Sequence, residues 1–193
     1  MFVLTGVLWS QSAENPVTIS ASVNSPARAG EVVQVTISAA MDKEWHIYSI
    51  YKTSEGPLPT EISIGGSAVG AVTPVKEPEP MYVFDPGFET DTYYHEGDTE
   101  FIFPVRLKRS LMPGTHAIIV DVFYMVCNAR LCYPPLTKID TVWVEVEAGA
   151  PRSDRTSFMV AATASKDDPG KGKNTLLGIF LLAVGGAIIS WVM

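Results

Sequence analysis

Prolines and glycines punctuate this chain so often that long helices have no room to form. Fourteen Pro and fifteen Gly are spread over 193 residues, and both residue types interrupt helices and favour turns. The stretches between them alternate. Val17, Ile19, Ala21 and Val23 are separated by Thr18, Ser20 and Ser22, and Val33, Val35 and Ile37 by Gln34 and Thr36. That is the period of a strand with one buried face. A turn at 24–30 separates these two runs. Residues 45–51 (W-H-I-Y-S-I-Y) read as a third strand, and 60–64 as a short one after the turn-rich 52–59. Regular pattern returns at 101–107, at 116–126 and at 141–147, where Val142, Val144 and Val146 alternate with Trp143 and Glu145. About seven short strands with turns between them predict an all-β, immunoglobulin-like β-sandwich over residues 16–148.

Between 65 and 98 the period fades. Pro74, Pro78, Pro80 and Pro86 interrupt it, aromatics are scattered through it, and every charged side chain from Glu77 to Glu100 is acidic. A connection this long inside a compact domain is as a rule functional or mobile. The acidic run reads as a solvated loop or as a surface for a partner. A net charge of −7 argues against nucleic-acid binding, which needs basic patches.

The ends differ from the middle. Residues 1–13 are short and apolar, then small and polar, like the second half of a secretory signal peptide without its basic start; a buried first strand is the alternative. Residues 175–193 carry no charge over nineteen positions, the length of a transmembrane helix; a buried core helix is the alternative. Residues 149–174, rich in Ala, Ser, Asp, Pro and Lys, read as a tether between domain and membrane.

The chemistry concentrates in residues 122–136, V-F-Y-M-V-C-N-A-R-L-C-Y-P-P-L, which contain the only two cysteines, Cys127 and Cys132. Four readings compete. A structural staple closing so short a loop stabilises by roughly 2 kcal/mol, against nearly 5 for a loop of about 100 residues. A metal site lacks support, because His46, His95 and His116 stand at no zinc-finger spacing from the cysteines. Inert thiols this close would be joined in an oxidising compartment. The fourth reading is a pair that cycles between dithiol and disulfide. Pro134 and Pro135 prevent a helix from running through the site, so it differs from the helix-borne Cys-x-x-Cys of thioredoxins and fits a strand–turn–strand hairpin. Arg130 between the cysteines offers a positive charge to a thiolate, and equally reads as a surface arginine.

The block F-Y-M-V-C-N-A-R-L-C-Y-P-P, residues 123–135, resembles the amino-terminal periplasmic domain of the membrane thiol:disulfide interchange protein DsbD. Weaker matches are W-H-I-Y at 45–48 followed by G-P-L-P-T at 56–60, and the stretch 84–105 ending F-I-F-P-V. The resemblance spans about 17–147, and 175–193 looks like the start of that family's membrane domain in a truncated chain. It implies a protein-disulfide reductase facing the periplasm from the bacterial inner membrane, with no cofactor or metal beyond the redox disulfide. Electrons would come from the thioredoxin-like domain of the same full-length protein. They would pass to periplasmic thioredoxin-fold proteins, such as disulfide isomerases or the thioredoxins of cytochrome c maturation. The resemblance makes Cys132 the sulfur that forms mixed disulfides and Cys127 the one that resolves them. It places His46 and Tyr48 beside the pair and Tyr133 at its exit, with Phe88, or Tyr93 as a rival, on a mobile cap loop. The best-known members have one more residue between the cysteines. The alternative is a non-enzymatic, membrane-tethered β-sandwich for adhesion or assembly, with the pair as a local clip. A third reading, copper or zinc handling, predicts metal bound through the thiolates.

Overall fold

The structure is a computed structural model and describes residues 15–53 and 55–158. The segments read as signal peptide and transmembrane helix, and most of the tether, lie outside the described residues. No helix among the described residues is long and apolar enough to cross a membrane.

The described chain forms twelve strands: β1 (Val17–Val23), β2 (Ala27–Arg28), β3 (Val32–Met41), β4 (His46–Tyr48), β5 (Glu61–Gly65), β6 (Val69–Val72), β7 (Met81–Asp85), β8 (Thr90–Glu96), β9 (Thr99–Leu107), β10 (Gly114–Tyr124), β11 (Val126–Cys127) and β12 (Leu136–Glu147). Two sheets, in the orders β1-β3-β9-β6 and β2-β12-β10-β5, make the immunoglobulin-like sandwich. Register follows the apolar alternation. Val33, Val35 and Ile37 of β3 stand opposite Val105, Phe103 and Phe101 of β9, and these six side chains are all buried. They share one core with Ile118, Val120 and Val122 of β10 and Val142, Val144 and Val146 of β12. Each such side chain, once buried, contributes about 1.5–3 kcal/mol relative to exposure. Sliding a strand by one residue would turn that set to water, so the core fixes the pairing.

A third sheet, in the order β11-β4-β8-β7, was not read from the sequence. The expected irregular connection over 65–98 instead holds β6, β7 and β8, with β7 and β8 paired as a hairpin around residues 86–89. The single strand expected over 116–126 is two strands. β10 pairs with β12 and β5, Met125 leaves the ladder, and β11 pairs with β4. The sandwich thereby delivers Cys127 to the third sheet. The expected strand at 45–51 is ordered as β4 only over His46–Tyr48.

The domain also continues past its last strand. Glu31, 0% exposed, receives the Arg152 guanidinium at 2.6 and 2.7 Å, and backbone N–H groups of Arg152 at 2.7 Å and Arg28 at 3.0 Å. Arg106 lies over the Phe158 ring at 4.3 Å. Residues 149–158, read as the start of the tether, therefore include a segment held against the sandwich.

Candidate functional site

Cys127 and Cys132 are joined as a disulfide and face each other as an antiparallel bridge across a tight turn. Asn128 shapes that turn, as expected of a short polar side chain that bonds its own backbone. Its Oδ1 accepts from the N–H groups of Arg130 and Leu131, both at 2.9 Å, while its own N–H donates to the Leu131 carbonyl. The Tyr133 N–H donates to the Val126 carbonyl at 2.9 Å and closes the hairpin. After it, Pro134 and Pro135 carry the chain to β12 without N–H donors of their own. The two sulfurs are unequally placed: Cys127 is 1% exposed, and Cys132 is an exposed residue. Arg130 is exposed at the tip and lines the cleft below.

Register decides what surrounds the pair. In an antiparallel sheet, directly opposed residues share a face and neighbours along a strand alternate. Cys127 stands opposite His46, and Val126 opposite Ile47; His46 stands opposite Glu96, and Tyr48 opposite Tyr94. Cys127, His46, Tyr48, Tyr94 and Glu96 thus share one face, while Val126, Ile47 and His95 share the other. Tyr48, Met125 and Cys127 form a small buried cluster, with Phe88 and Tyr94 packed against it. A cleft of about 320 Å³ runs between this face and the cysteine hairpin.

Asp85 joins the floor of the site to its cap. Its Oδ2 accepts from the Tyr48 hydroxyl at 2.8 Å, while its Oδ1 accepts from the backbone N–H of Gly87 at 2.8 Å and of Phe88 at 3.3 Å. The turn that carries Phe88 is therefore fastened to Tyr48, and the two rings meet edge-on at 6.0 Å. Burial, then the Asp85 hydrogen bond, raise the Tyr48 hydroxyl well above the ordinary tyrosine range, so it serves as a hydrogen-bond donor. Burial holds His46 below the usual histidine value, opposed by the charges of Asp85 and Glu96. Tyr94 is raised by burial and then by Glu96.

Of the residues expected at the site, the structure brings Cys127, Cys132, His46, Tyr48 and Phe88 together. Tyr133 lies behind the hairpin, stacked on Trp45 at 5.3 Å. Tyr93 lies elsewhere: on the opposite face of β8 from Tyr94, it contacts Tyr82 at 4.7 Å and Tyr51 at 5.9 Å. Sequence reasoning missed Asp85, Tyr94, Glu96 and Met125. The run Asp85-Pro86-Gly87 was a legible signal, since Asp, Pro and Gly in succession mark a turn that an aspartate side chain closes. The acidic run is also not all solvated. Glu77 is buried under the third sheet, where its carboxylate accepts from Ser49 Oγ at 2.5 Å and the Ile50 N–H at 3.2 Å and meets His95 Nε2 at 3.0 Å. Among the described residues, no group of three or more His, Cys, Asp or Glu side chains is placed to hold a metal ion.

Comparison with known proteins gives a family match. The family model described as thiol:disulfide interchange protein DsbD, N-terminal, matches residues 15–143. No curated protein matches the chain. Similar solved structures include the N-terminal domain of DsbD from Neisseria meningitidis in its reduced form, at 12% identity and a TM-score of 0.40, covering 64% of this chain and 82% of that one. The N-terminal periplasmic domain of ScsB from Proteus mirabilis is 16% identical with a TM-score of 0.44, covering 72% of this chain and 49% of that one. AggA, the major subunit of aggregative adherence fimbriae type I from Escherichia coli, is 10% identical with a TM-score of 0.36, covering 69% of this chain and 97% of that one.

Proposed function

The chain belongs to the family of DsbD amino-terminal domains, and on that premise we propose that its Cys127/Cys132 pair relays electrons from a thioredoxin-like reductant to oxidised thioredoxin-fold proteins in the periplasm. One observation carries the reading: the pair is asymmetric, with Cys132 exposed at a cleft and Cys127 1% exposed beneath it. A partner's sulfur reaches Cys132 first. In the reduced protein, the Cys132 thiolate attacks the partner disulfide and forms a mixed disulfide. Cys127 then attacks Cys132 Sγ and releases the reduced partner. A thioredoxin-like thiolate attacks Cys132 of the oxidised pair and frees the Cys127 thiolate, and the reductant's second thiol then displaces Cys132 and restores the dithiol. Exchange of this kind depends on thiolate fraction, leaving group and access, and the Phe88 turn over Tyr48 and Cys127 restricts access to partners that displace it. Residues 175–193 would hold the domain at the inner membrane. Disulfide isomerases and the thioredoxins of cytochrome c maturation are the proposed acceptors.

Redox titration of the full chain in thiol buffers tests the reading. An exchange pair should equilibrate with a midpoint between roughly −270 and −120 mV, the span of thioredoxin-fold oxidoreductases, whereas a structural clip lies below about −300 mV. A midpoint in the lower range, together with undiminished partner reduction by a Cys132→Ala variant, would identify a clip.

A further inference from the structure

His46 stands in a row that the exchange reading leaves unused. It lies directly opposite Cys127 on one side and Glu96 on the other. Opposed residues on antiparallel strands have Cβ atoms about 4.5–5.5 Å apart, so the Cys127 sulfur, the imidazole and the Glu96 carboxylate belong to consecutive members of one cross-strand row. The imidazole is half-buried between the rings of Tyr94, at 4.5 Å, and Tyr48, at 5.3 Å, and it lines the same cleft as both cysteines. The single hydroxyl hydrogen of Tyr48 is committed to Asp85 at 2.8 Å. His46 Nε2, 3.5 Å from that hydroxyl, therefore meets an oxygen that can only accept. This contact, long for a hydrogen bond, favours the tautomer protonated on Nε2 and leaves Nδ1 as the basic nitrogen.

We propose that His46 accepts the Cys127 proton in the step that resolves a mixed disulfide, with Glu96 stabilising the imidazolium that forms. The proposal rests on the exchange reading of the same cysteine pair. At the start of the step, Cys132 Sγ is bonded to a partner sulfur and Cys127 is a thiol. Nδ1 takes the thiol proton, and the Cys127 thiolate attacks Cys132 Sγ. The Cys127–Cys132 bond forms and the Cys132–partner bond breaks. The partner sulfur leaves with the electron pair and is protonated by the imidazolium or by water. Over the full exchange the pair is oxidised by two electrons and the partner disulfide reduced by two.

An ordinary thiol, with a pKa of about 8.5, supplies little thiolate at neutral pH, and a neighbouring base is the usual remedy. The groups facing His46 are Glu96 and Tyr94 from β8, Asp85 from the end of β7, Tyr48 from its own strand, Glu44 ahead of that strand, and Arg130 at the hairpin tip. Burial keeps the imidazole below the usual histidine value, with Asp85 and Glu96 opposing. It is therefore neutral, and able to take a proton, at neutral pH.

Glutathione disulfide serves as the probe. The reduced full chain is mixed with it, quenched in acid at intervals, and the glutathionylated Cys132 species followed by mass spectrometry from pH 4.5 to pH 8.5. With a base in place, resolution in the parent protein changes little above the titration of His46. In His46→Gln and His46→Phe, the rate rises about tenfold per pH unit as thiolate appears unaided. The intermediate then survives roughly 100-fold longer at pH 7, the low end of general-base contributions. Formation of the intermediate by Cys132 keeps its rate. Glu96→Gln moves the inflection of the parent curve to lower pH. Parallel pH profiles in parent and His46 variants would overturn the proposal, as would equal slowing of both steps, the signature of disturbed packing. A protein that forms no glutathionylated Cys132 even when Phe88→Ala opens the cap would instead remove the exchange reading, and this inference with it.

Discussion

Replacing Arg152 by Ala should destabilise the domain by about 3 kcal/mol, although Arg152 lies beyond the last strand. Glu31 is 0% exposed, so its charge is sustained only by what touches it. Arg152 supplies two guanidinium contacts, at 2.6 and 2.7 Å, as well as a backbone N–H. The Arg152 side chain first, then the backbone N–H groups of Arg152 and Arg28, overcome burial and hold the carboxyl at about 2, down from 4.5. At roughly 1.4 kcal/mol per unit, that difference is worth about 3 kcal/mol at neutral pH for all these partners together, and the Arg152 side chain is the largest of them. Removing one partner of a fully buried pair costs about 3–5 kcal/mol in general, and because Arg152 is itself partly exposed the low end of that range applies. With a urea slope near 2 kcal/mol per molar, the midpoint should fall by about 1.5 M.

The pH dependence checks the cause. A carboxyl with a depressed pKa contributes stability that is fully present above its unfolded value, near 4.5, and is lost as pH falls through about 2. The gap between parent and Arg152→Ala should therefore be widest near neutrality and close between pH 4.5 and 2. A change below about 0.5 kcal/mol at pH 7, the size expected of an exposed pair, would refute the argument. It would mean that residues 149–158 lift away and let Glu31 hydrate.

Phe88→Ala should speed alkylation of the reduced pair by iodoacetamide several-fold, because Phe88 packs on the Tyr48–Met125–Cys127 cluster; an unchanged rate would remove its capping role. Asp85→Ala should have the same effect on alkylation and cost about 1–3 kcal/mol in urea denaturation, since the buried Tyr48 hydroxyl loses its acceptor and the turn loses two backbone contacts. Burial pushes Glu77 up, but hydrogen bonds from His95, Ser49 and Ile50 together hold it below 4.5. Its contribution is then present above that value and lost on acidification, so Glu77→Gln should flatten the fall of the urea midpoint below pH 4.5; a parallel fall would contradict this.

The sandwich was legible because its strands bury one face and wet the other. Val33-Val35-Ile37 and Val142-Val144-Val146 carry the alternation plainly, and these residues are buried. The third sheet was illegible for a physical reason. In β8, T-D-T-Y-Y-H-E, the buried residues are Thr92 and His95, polar types that a hydropathy pattern counts as exposed. His95 tolerates burial because Glu77 meets it from outside the sheet's own sequence. In β7, M-Y-V-F-D, both faces carry large apolar side chains and none is fully buried. A sheet that presents aromatics and acids to a cleft on one face, and on the other mixes apolar Ile47 and Val126 with the buried His95–Glu77 pair, has no period for a sequence to show.

The cysteine hairpin could be read locally, from the spacing of Cys127 and Cys132 and from the two prolines after them. The rest of the site lies 31–81 positions away from Cys127, in Glu96 and His46, and only register brings it close. Register also explains why Tyr94 rather than Tyr93 belongs to it, because one position along a strand changes the face. What fixes that register is the core. Ile47 and Val126 stand opposite each other, each 0% exposed. A slip of one residue in β4 would turn Ile47 into the cleft and His46 into the apolar core, at a cost of about 1.5–3 kcal/mol for the lost burial of Ile47 alone, before the penalty on a buried imidazole. The same packing that stabilises the sandwich therefore holds an imidazole opposite the buried sulfur.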